Sequence, residues 1–304
     1  MPDAASADNA DTAVLDRCFL IGRPGAPVVV VLGGISASRD VRGWWAAVVG
    51  EGRAVDTREF RVLGADYLDG GERYDGRPDH PVTTHHQAGL IAAALDERRI
   101  ERVHTFIGAS YGGMVALAFA ERFAERVEQI VVISAPAHAH PMSTTLRSVQ
   151  RRIVELGREV GRAVEALAIA RGLAMTTYRS AEEFGDRFQT SASDVSVGRD
   201  VEKYLRHHGE KFAASMSPSR FLALSQSADV HRVNPRDCGT PALFVAARGD
   251  TIVPLSQMTE LTSHWGGPSR LVETPTRTGH DAFLAEPKVV GALIHEALTS
   301  QVVS

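Results

Sequence analysis

The segment that most constrains the fold of this chain is residues 103–123, VHTFIGASYGGMVALAFAERF. It starts with an apolar stretch of β-branched and aromatic residues that predicts a strand, and it ends in a pattern that predicts a helix. Between the two lies a Gly-x-Ser-x-Gly turn centred on Ser110. Glycines at positions 108 and 112 leave room for strand and helix to approach closely, and such a turn holds its serine in a strained conformation. The segment therefore predicts a nucleophile elbow that exposes Ser110 above a sheet.

A tetrahedral intermediate formed on Ser110 would need hydrogen-bond donors for its oxyanion. The backbone N–H of Tyr111 is the first candidate, because it follows the nucleophile at the start of a helix. The second candidate lies after residues 26–32, an apolar stretch that predicts a buried strand and ends in a GGIS turn. Such a turn can direct backbone N–H groups into a cleft, so Gly34 or Ile35 is the expected second donor. The same turn is also compatible with a plain exit from a strand.

The order of the predicted elements indicates an α/β fold with an insertion. Strand and helix patterns alternate up to residue 134, which is typical of a mostly parallel central sheet with helices on both faces. The following residues form helical patterns without a convincing strand, and a strand pattern resumes at residue 241. A helical insertion between two core strands predicts a cap over the strand ends. The expected organisation is a disordered tail (residues 1–11), an α/β core (12–137 and 230–304) and a helical cap (138–229).

Two further residues form a catalytic constellation with Ser110. Residues 241–247 predict a strand followed by Asp250, and His280 follows another predicted strand at residues 270–273. Because ligands meet a parallel sheet at the carboxyl ends of its strands, the three side chains are expected to meet there. A histidine accepts the serine proton, and a carboxylate orients the histidine and stabilises its charged form. Ser110, Asp250 and His280, in that chain order, therefore predict a nucleophile, an acid and a base.

Composition limits the classes of partner. Charged residues make up 23% of the chain and the formal net charge is −4, so no overall field attracts nucleic acid or an anionic membrane. The longest apolar run, residues 27–32, is far shorter than the ~20 residues of a membrane-spanning helix. The first residues lack the basic start and apolar centre of a signal peptide, and the two cysteines form neither a disulfide framework nor a metal pattern. We therefore expect a cytoplasmic protein that uses no metal or other cofactor.

Five segments of the chain match a known family. They are GASYGGM (108–114), RSVQRRI (147–153), TYRSAEEFGDRF (177–188), VEKYLRHHGEKF (201–212) and GHDAFL (279–284). Each is short, but together they are specific and they extend over most of the chain from residue 28 onward. Together they resemble the homoserine O-acyltransferases of the α/β-hydrolase superfamily. The resemblance implies an α/β-hydrolase fold and a role in methionine biosynthesis, with an acyl group moved from acyl-CoA, a co-substrate, to L-homoserine through an acyl-serine in a ping-pong reaction.

The resemblance also implies roles for individual residues. Ser110 becomes the acylated nucleophile, His280 the base and Asp250 its partner. Arg151 resembles the arginine that binds the carboxylate of the amino acid, and Asp281 resembles the residue that binds its ammonium group. A small zwitterion needs one cation and one anion, and a guanidinium fork suits a carboxylate. Arg151 is also compatible with a solvated helix arginine, and Asp281 with an N-cap of the last helix.

The elbow sequence favours succinyl-CoA as the donor. Acetyl-transferring members commonly carry GGSMGGM at the elbow, whereas Ala109 and Tyr111 in this chain resemble the succinyl-transferring proteobacterial branch. The additional carboxylate of a succinyl group needs a cation, for which Arg147 is one of several candidates on the cap. Acetyl-CoA as donor and serine as acceptor are alternatives, because one methylene changes binding by only ~1–3 kcal/mol. The same triad also supports ester hydrolysis, and the cap could serve as a homodimer surface.

Overall fold

The computed structural model of the protein describes residues 14–69, 81–188 and 197–300. The expected disordered tail, residues 1–11, lies outside these ranges. The strands are β1 (Cys18–Ile21), β2 (Val28–Leu32), β3 (Val49–Gly50), β4 (Val55–Asp56), β5 (Arg61–Ala65), β6 (Val103–Ala109), β7 (Val127–Ile133), β8 (Ala242–Ala247) and β9 (Ser269–Thr274). Seven of them form one sheet in the order β1-β5-β2-β6-β7-β8-β9. Only the β1–β5 pairing in this sheet is antiparallel, which confirms the predicted α/β fold with a mostly parallel sheet.

The remaining two strands were not predicted from the sequence. Strands β3 and β4 are two residues each and pair in parallel to form a small separate ribbon. Two-residue strands carry no detectable period of alternation, so nothing in the sequence distinguishes them from the surrounding turns.

The central strands form because their sequences are continuous apolar runs. Every residue of β2 (VVVVL) and of β8 (ALFVAA) is buried. Val30 belongs to the apolar cluster on one face of the sheet, and its neighbour Val29 belongs to the cluster on the other. Successive side chains of a strand point to opposite faces, so a strand with both sets buried must be covered by helices on both sides.

The helices also follow the predicted order. They are α1 (Val41–Trp45), α2 (Thr84–Glu97), α3 (Tyr111–Arg122), α4 (Pro141–Glu159), α5 (Ala163–Tyr178), α6 (Ala181–Arg187), α7 (Val197–Ala213), α8 (Pro218–Asp229), α9 (Leu255–Ser263), α10 (Ala282–Ala285) and α11 (Pro287–Thr299). Of these, α1 was not predicted, because its sequence VRGWW carries a glycine and two tryptophans and is too short to show a helical period.

Helices α4 to α8 all lie between β7 and β8 in the chain. The two ends of this insertion meet in an isolated antiparallel bridge between His138 and Arg232. The insertion has a small apolar core of its own, which includes Val154, Leu167 and Phe212. Helix α5 also contacts the turn after β9 that carries His280. The insertion therefore lies against the end of the sheet at which the predicted catalytic residues are found.

The elbow is formed by the junction of β6 and α3. The strand ends at Ala109 and the helix begins at Tyr111, so a single residue makes the turn. A Cβ atom on Gly108 would lie 2.2 Å from the carbonyl oxygen of Gly112. A Cβ atom on Gly112 would lie 2.4 Å from the carbonyl oxygen of Leu32. Both distances are far below van der Waals contact, so glycine at these two positions is what allows α3 to pack against β6 and β2.

Candidate active site

Ser110 occupies the strained conformation that the elbow predicts. Its φ is 54° and its ψ is −120°, a combination that residues with a Cβ atom rarely adopt. The backbone is held there on both sides, because the Ser110 N–H donates to the Ile133 carbonyl and the Ser110 carbonyl accepts two N–H groups of α3. The strain presents the side chain at the carboxyl end of the sheet instead of directing it into the core.

The structure brings the three predicted catalytic residues together. Ser110 Oγ lies 2.8 Å from His280 Nε2, and His280 Nδ1 lies 2.7 Å from Asp250 Oδ2. The other oxygen of Asp250 accepts the backbone N–H groups of Ile252 and Val253 at 2.8 and 2.9 Å. These two bonds fix the carboxylate, which in turn fixes the orientation of the ring. Such a chain of hydrogen bonds can pass the serine proton to the imidazole.

Two opposing effects set the pKa of His280. Burial lowers it, because a charged imidazolium is poorly solvated inside the protein, whereas the charge and the hydrogen bond of Asp250 raise it. The net result is a pKa above the usual value of 6.5. A raised pKa makes the neutral imidazole a stronger base for the proton of Ser110.

The start of α3 leaves one backbone N–H beside Ser110 without an acceptor. Gly112 donates its N–H to the Gly33 carbonyl at 2.9 Å, and the next two N–H groups of the helix bond to the Ser110 carbonyl. Within the described residues the Tyr111 N–H has no backbone acceptor. It is therefore available to an oxyanion formed at Ser110, as the sequence predicts.

The loop after β2 is bonded to the start of α3, next to the serine. Its Gly33 carbonyl accepts the Tyr67 hydroxyl at 2.5 Å in addition to the N–H of Gly112. Gly34 and Ile35 follow and line the same cavity as the serine. In the ranges that the structure describes, neither of their backbone N–H groups has a backbone acceptor. Both are therefore geometrically suited to the predicted role of second oxyanion donor.

Ser110 and His280 open into a cavity between the sheet and the inserted helices. It encloses about 1060 Å³, including its open mouth. Its walls include Trp44 from the core, and Leu146 and Phe221 from the inserted helices. Trp44 stacks on a buried neighbour, Trp45, at a centroid distance of 5.2 Å. One member of the tryptophan pair thus supports the core while the other forms part of the cavity wall.

The two arginines predicted to bind substrate occupy different environments. Arg147 lines the cavity, and its Nε donates to Asp229 Oδ1 at 2.6 Å. Arg151 does not line the cavity: its Nη1 donates to the other oxygen of Asp229 at 2.6 Å and to Ser225 Oγ at 3.0 Å. Ser225 itself lines the cavity, so Arg151 lies next to it, and its role in binding a substrate carboxylate stays a prediction. The Asp229 carboxylate joins Arg151 to Arg147.

Asp281 lines the cavity next to His280 and is almost fully buried. It makes no capping hydrogen bond to the helix α10 that follows, so the alternative of a structural N-cap does not apply. Burial raises the pKa of Asp281 above its usual value, and the nearby cation of Arg179 opposes that change. The Arg179 Nε lies 3.2 Å from Asp281 Oδ2. Asp281 is therefore a buried carboxyl group that already has one cationic neighbour at the cavity wall.

Arg171 is a cavity residue that the sequence interpretation missed. Its guanidinium lies 4.8 Å from the ring centre of Tyr178 and 5.0 Å from that of Phe212. It lines the cavity and forms no ion pair with a carboxylate of the described residues. The available signal was a lone arginine in the middle of a mostly apolar helix sequence, AVEALAIARGLAMTTY, whose one acidic residue lies in the first turn. A cation in such a position is costly unless a ligand or an aromatic ring compensates it.

Metal sites and membrane-spanning helices are two further features that bear on function. In residues 14–69, 81–188 and 197–300, no group of three or more His, Cys, Asp or Glu side chains is arranged to hold a metal ion. No helix within those ranges combines the length and the apolar character needed to cross a bilayer.

Comparison with known proteins gives a consistent result. The model of the α/β hydrolase fold family matches residues 27–287. The chain is 39% identical to a homoserine O-succinyltransferase of Xanthomonas campestris pv. campestris, over 93% of this chain and 78% of that protein. It is 32% identical to a homoserine O-acetyltransferase of Thermus thermophilus, over 83% of this chain and 71% of that protein.

The fold is also similar to that of solved structures. The crystal structure of a homoserine O-acetyltransferase from Bacillus anthracis superposes with a TM-score of 0.81, at 15% identity, and covers 94% of this chain and 92% of that one. At this identity the similarity supports the fold alone. The sequence matches go further, because they extend over more than two thirds of each protein. The chain therefore belongs to the homoserine O-acyltransferases of the α/β-hydrolase fold family.

Proposed function

We propose that this protein is a homoserine O-succinyltransferase, which moves the succinyl group of succinyl-CoA to the hydroxyl of L-homoserine. The observation that carries the proposal is the hydrogen-bonded series Ser110, His280 and Asp250 at the floor of a cavity that also contains two arginines and a buried aspartate. The similarity to the Xanthomonas succinyltransferase supports the same acyl group. The product would serve methionine biosynthesis, and an acyl-CoA-dependent reaction of this kind fits a cytoplasmic enzyme.

The first half of the proposed reaction forms an acyl-enzyme. Ser110 Oγ attacks the thioester carbonyl while its proton passes to His280 Nε2. The carbonyl oxygen becomes an oxyanion that accepts the N–H of Tyr111 and one of those of Gly34 and Ile35. The intermediate collapses with cleavage of the carbon–sulfur bond, and His280 gives its proton to the leaving CoA thiolate. The succinyl group remains as an ester of Ser110, and free CoA leaves.

The second half transfers the group to the amino acid. His280 takes the proton of the homoserine hydroxyl, whose oxygen attacks the ester carbonyl of the acyl-serine. The same backbone donors stabilise the second oxyanion. Collapse breaks the bond to Ser110 Oγ, which recovers the proton from His280. The products are O-succinylhomoserine and the original enzyme, so each turnover returns the site to its starting state.

The amino-acid subsite is assigned to Asp281 and Arg151, as the family resemblance implies. Because homoserine is a zwitterion, it needs an anion and a cation. Asp281, which lines the cavity, would bind the ammonium group, and Arg151, which bonds the cavity residue Ser225, would bind the carboxylate. Arg171 is a further cation of the cavity wall, and its charge acts on Asp281 together with that of Arg179.

The experiment that tests this function measures release of free CoA thiol. Succinyl-CoA and acetyl-CoA are each supplied with homoserine, with serine and with no acceptor, and the products are identified by mass. We expect homoserine-dependent release from succinyl-CoA and formation of O-succinylhomoserine. Homoserine-dependent release from acetyl-CoA alone would instead make the protein an acetyltransferase, and serine-dependent release would change the acceptor. Release that does not depend on an acceptor would make it a hydrolase.

The helical insertion supports a second proposal, that two copies of this chain form a homodimer through α4 and α5. Met142, Val149 and Leu156 recur every seven residues on α4, so they lie on one stripe, and each is 47–57% exposed. Val164 and Ile169 on α5 are each 58% exposed. Apolar side chains exposed together in this way mark an interaction surface.

The groove beside this stripe favours a second copy of the chain as the occupant. It encloses about 2630 Å³, including open solvent, and its walls include Ile153, Val164 and Leu173. Its walls, which we take as the rim of the contact, carry both signs of charge, with arginines 158, 162 and 206 and glutamates 165, 202 and 210. A rim that carries both signs is complementary to a second copy of itself, as the two-fold symmetry of most dimers requires.

We further propose that the chain is divided as the sequence suggests, with core residues 12–137 and 230–304 and cap residues 138–229. The bridge between His138 and Arg232 ties the two ends of the insertion together. The separate apolar cluster of the inserted helices supports the same boundary.

A further inference from the structure

A buried cation lies next to Asp281, outside the catalytic cavity. Asp281 is 7% exposed and lines the cavity, and its carboxylate accepts no hydrogen bond from the described residues. Arg179 Nε lies 3.2 Å from Asp281 Oδ2, and this buried nitrogen also lacks a hydrogen-bond partner in the described part of the chain. The contact is therefore an ion pair alone. Arg179 does not line the cavity, so it contacts Asp281 without reaching the space that a substrate would occupy.

The backbone on either side of Arg179 is bonded to two loops of the core. Thr251 Oγ1, in the loop after β8, donates to the Thr177 carbonyl at 3.0 Å. Ser180 Oγ donates to the Arg277 carbonyl, in the loop after β9. Arg179 lies between these two contacts in the chain, so its backbone is held against the loops that follow both strands. Its guanidinium can therefore keep its distance from a core residue with little loss of conformational entropy.

A second carboxylate orients the guanidinium of Arg179. The two carboxylate oxygens of Glu183, on α6, lie 3.4 and 3.3 Å from Arg179 Nη1. Arg187 Nη2 donates to the same carboxylate at 2.9 Å, from a side chain that is 48% exposed. The charge of Arg179 is thus shared between Glu183 and Asp281. Because it shares its cation, Asp281 keeps negative charge that can attract a further cation.

Burial would favour the neutral form of Asp281 if this cation were absent. Burial raises the pKa of Asp281, because a buried carboxylate loses its hydration, and the charge of Arg179 is the largest effect that lowers it. The charges of His280 and Arg171 lower the pKa as well, and that of Glu183 raises it. The net pKa lies above the usual value of 3.8. Loss of Arg179 would raise it further, and a protonated carboxyl group would not attract an ammonium group by charge.

We propose that Arg179 is a positioning residue of the amino-acid subsite, which holds Asp281 in the cavity wall as a charged carboxylate for the ammonium group of homoserine. Glu183 orients Arg179 for this role. The proposal rests on the proposed function, because it takes Asp281 as the ammonium site. Arg179 touches no reacting atom and no part of the acyl donor, so its removal should affect the reaction with homoserine alone.

The test follows the ratio of kcat/KM for homoserine to kcat/KM for succinyl-CoA from acid to mildly alkaline pH. Both halves of the reaction need neutral His280, so the ratio reports the amino-acid subsite. Arg179→Met should lower the ratio about tenfold near neutral pH and move its decrease on the acid side upward by about one pH unit or more. Arg179→Lys keeps the charge and should restore most of the ratio. Arg187→Met is the matched control, because Arg187 bonds Glu183 from an exposed position, and it should change neither property.

A further variant predicts a change of opposite sign and keeps the proposal testable if Arg179→Met folds poorly. Glu183→Gln can still accept a hydrogen bond from Arg179 but removes a charge that raises the pKa of Asp281, so the decrease in the ratio should move to lower pH. A general loosening of α6 would not produce a shift in this direction.

Three results would overturn the role of Arg179. They are an unchanged ratio and pH dependence in Arg179→Met, the same change in Arg187→Met, and equal losses of kcat/KM for both substrates. Each would leave the transferase itself intact. No homoserine-dependent thiol release by the wild type would instead reject the transferase together with the subsite.

Discussion

At the scale of single residues, the site depends on charges that are paired before any substrate arrives. His280 is buried, but its Nδ1 lies 2.7 Å from the Asp250 carboxylate, whose charge and hydrogen bond raise the pKa of His280 in spite of burial. Asp281 is buried beside it and is paired with Arg179 at 3.2 Å. Each group is therefore held in position by a partner, and a substrate meets a site that needs little rearrangement.

The pKa of His280 gives a pH dependence with a definite sign. The base must be neutral to accept the Ser110 proton, so kcat/KM should rise with pH and level off above an apparent pKa higher than 6.5. Replacing Asp250 with Asn removes the larger of the two charges that raise the pKa, since only Asp281 remains, and leaves burial, which lowers it. Asp250→Asn should therefore lower the imidazole pKa, as measured by NMR titration, and reduce kcat by roughly 10³–10⁴. An unchanged imidazole titration would contradict this account of the pair.

The role of Asp281 is tested by its effect on one substrate alone. Asp281→Asn keeps the size of the side chain but removes the charge that would bind the ammonium group. We expect the KM for homoserine to rise about tenfold or more, as for other lost hydrogen bonds to a charged group, and more than the KM for succinyl-CoA. Asp186→Asn is the control, because Asp186 pairs with Arg277 at an exposed position. Equal increases in both KM values would remove the assigned role.

Much of this site was predictable from residues alone. Ser110, Asp250 and His280 each follow a predicted strand. Their order in the chain is the one that this fold uses, which excludes most other sets of serine, aspartate and histidine. Which of Arg147 and Arg151 lines the cavity was not predictable, because the two are four residues apart and therefore neighbours on one face of a helix. Their environments differ through packing against Asp229, which is supplied by another helix 78 residues further along the chain from Arg151.

At the scale of elements, the elbow is a junction at which three backbones nearly touch. The end of β6, the start of α3 and the end of β2 approach so closely that a Cβ atom on Gly108 or on Gly112 would collide with the backbone. Because only glycine fits at these two positions, the close approach of strand and helix could be predicted from the sequence. The loop after β2 is connected to the same junction by the hydrogen bond from Gly112 to Gly33.

Substitution at the elbow should therefore be costly. A Cβ atom at position 108 would lie 2.2 Å from the Gly112 carbonyl oxygen, and backbone cannot move aside as a flexible side chain can. We expect Gly108→Ala to lower the free energy of unfolding by about 3 kcal/mol or more, measured by urea denaturation. Gly185→Ala is the matched control, since nothing lies within 4 Å of the Cβ it would add, and it should be neutral or slightly stabilising. Similar losses for both variants would contradict the argument.

A buried histidine links α2 to the start of the insertion. Thr84 Oγ1 lies 2.7 Å from His231 Nδ1, and His231 Nε2 lies 3.1 Å from the Pro136 carbonyl. Complete burial lowers the pKa of His231 from 6.5 to about 3. Below pH 6.5 the unfolded chain binds a proton that the folded protein cannot, so this residue costs about 1.4 kcal/mol of stability per pH unit until pH approaches 3.

The corresponding prediction concerns the slope of stability against pH. Between pH 6 and pH 4.5, the unfolding free energy of His231→Gln should decrease less steeply than that of the wild type, even if the variant is less stable at pH 8. Both pH values lie between 6.5 and about 3, the range in which His231 is expected to affect stability. Exposed His264, replaced in the same way, is the control. Parallel curves for the wild type and His231→Gln would show that the residue does not titrate as described.

At the scale of the whole molecule, the sheet and the insertion contribute different parts of the site. The turns after three core strands carry the proposed nucleophile, acid and base, and α4, α5 and α8 line the cavity beside them. The sequence predicted this division, because strand patterns stop after residue 134 and resume at residue 241. The sequence did not predict that Met142, Val149 and Leu156 on α4 are exposed. Apolar residues also lie on the buried side of that helix, and the two sides differ only in what packs against them.

The stripe leads to a prediction about assembly. Replacing exposed Leu156 with Asp puts a charge into the proposed dimer contact without disturbing the monomer, because the side chain is 47% exposed. We expect the wild type to sediment as a dimer and Leu156→Asp to sediment as a monomer at micromolar concentration. Leu284→Asp, at a similarly exposed position outside the stripe, is the control. A monomeric wild type would reject the proposed interface.

If Ser110 carries the acyl group between succinyl-CoA and homoserine, the acyl-enzyme should accumulate when homoserine is absent. The protein is mixed with succinyl-CoA alone, and its intact mass and the modified peptide are determined. We expect a mass increase of one succinyl group on the peptide that contains Ser110, its loss on addition of homoserine with formation of O-succinylhomoserine, and no increase in Ser110→Ala. An acyl group on another residue, or turnover by Ser110→Ala, would contradict this role of Ser110.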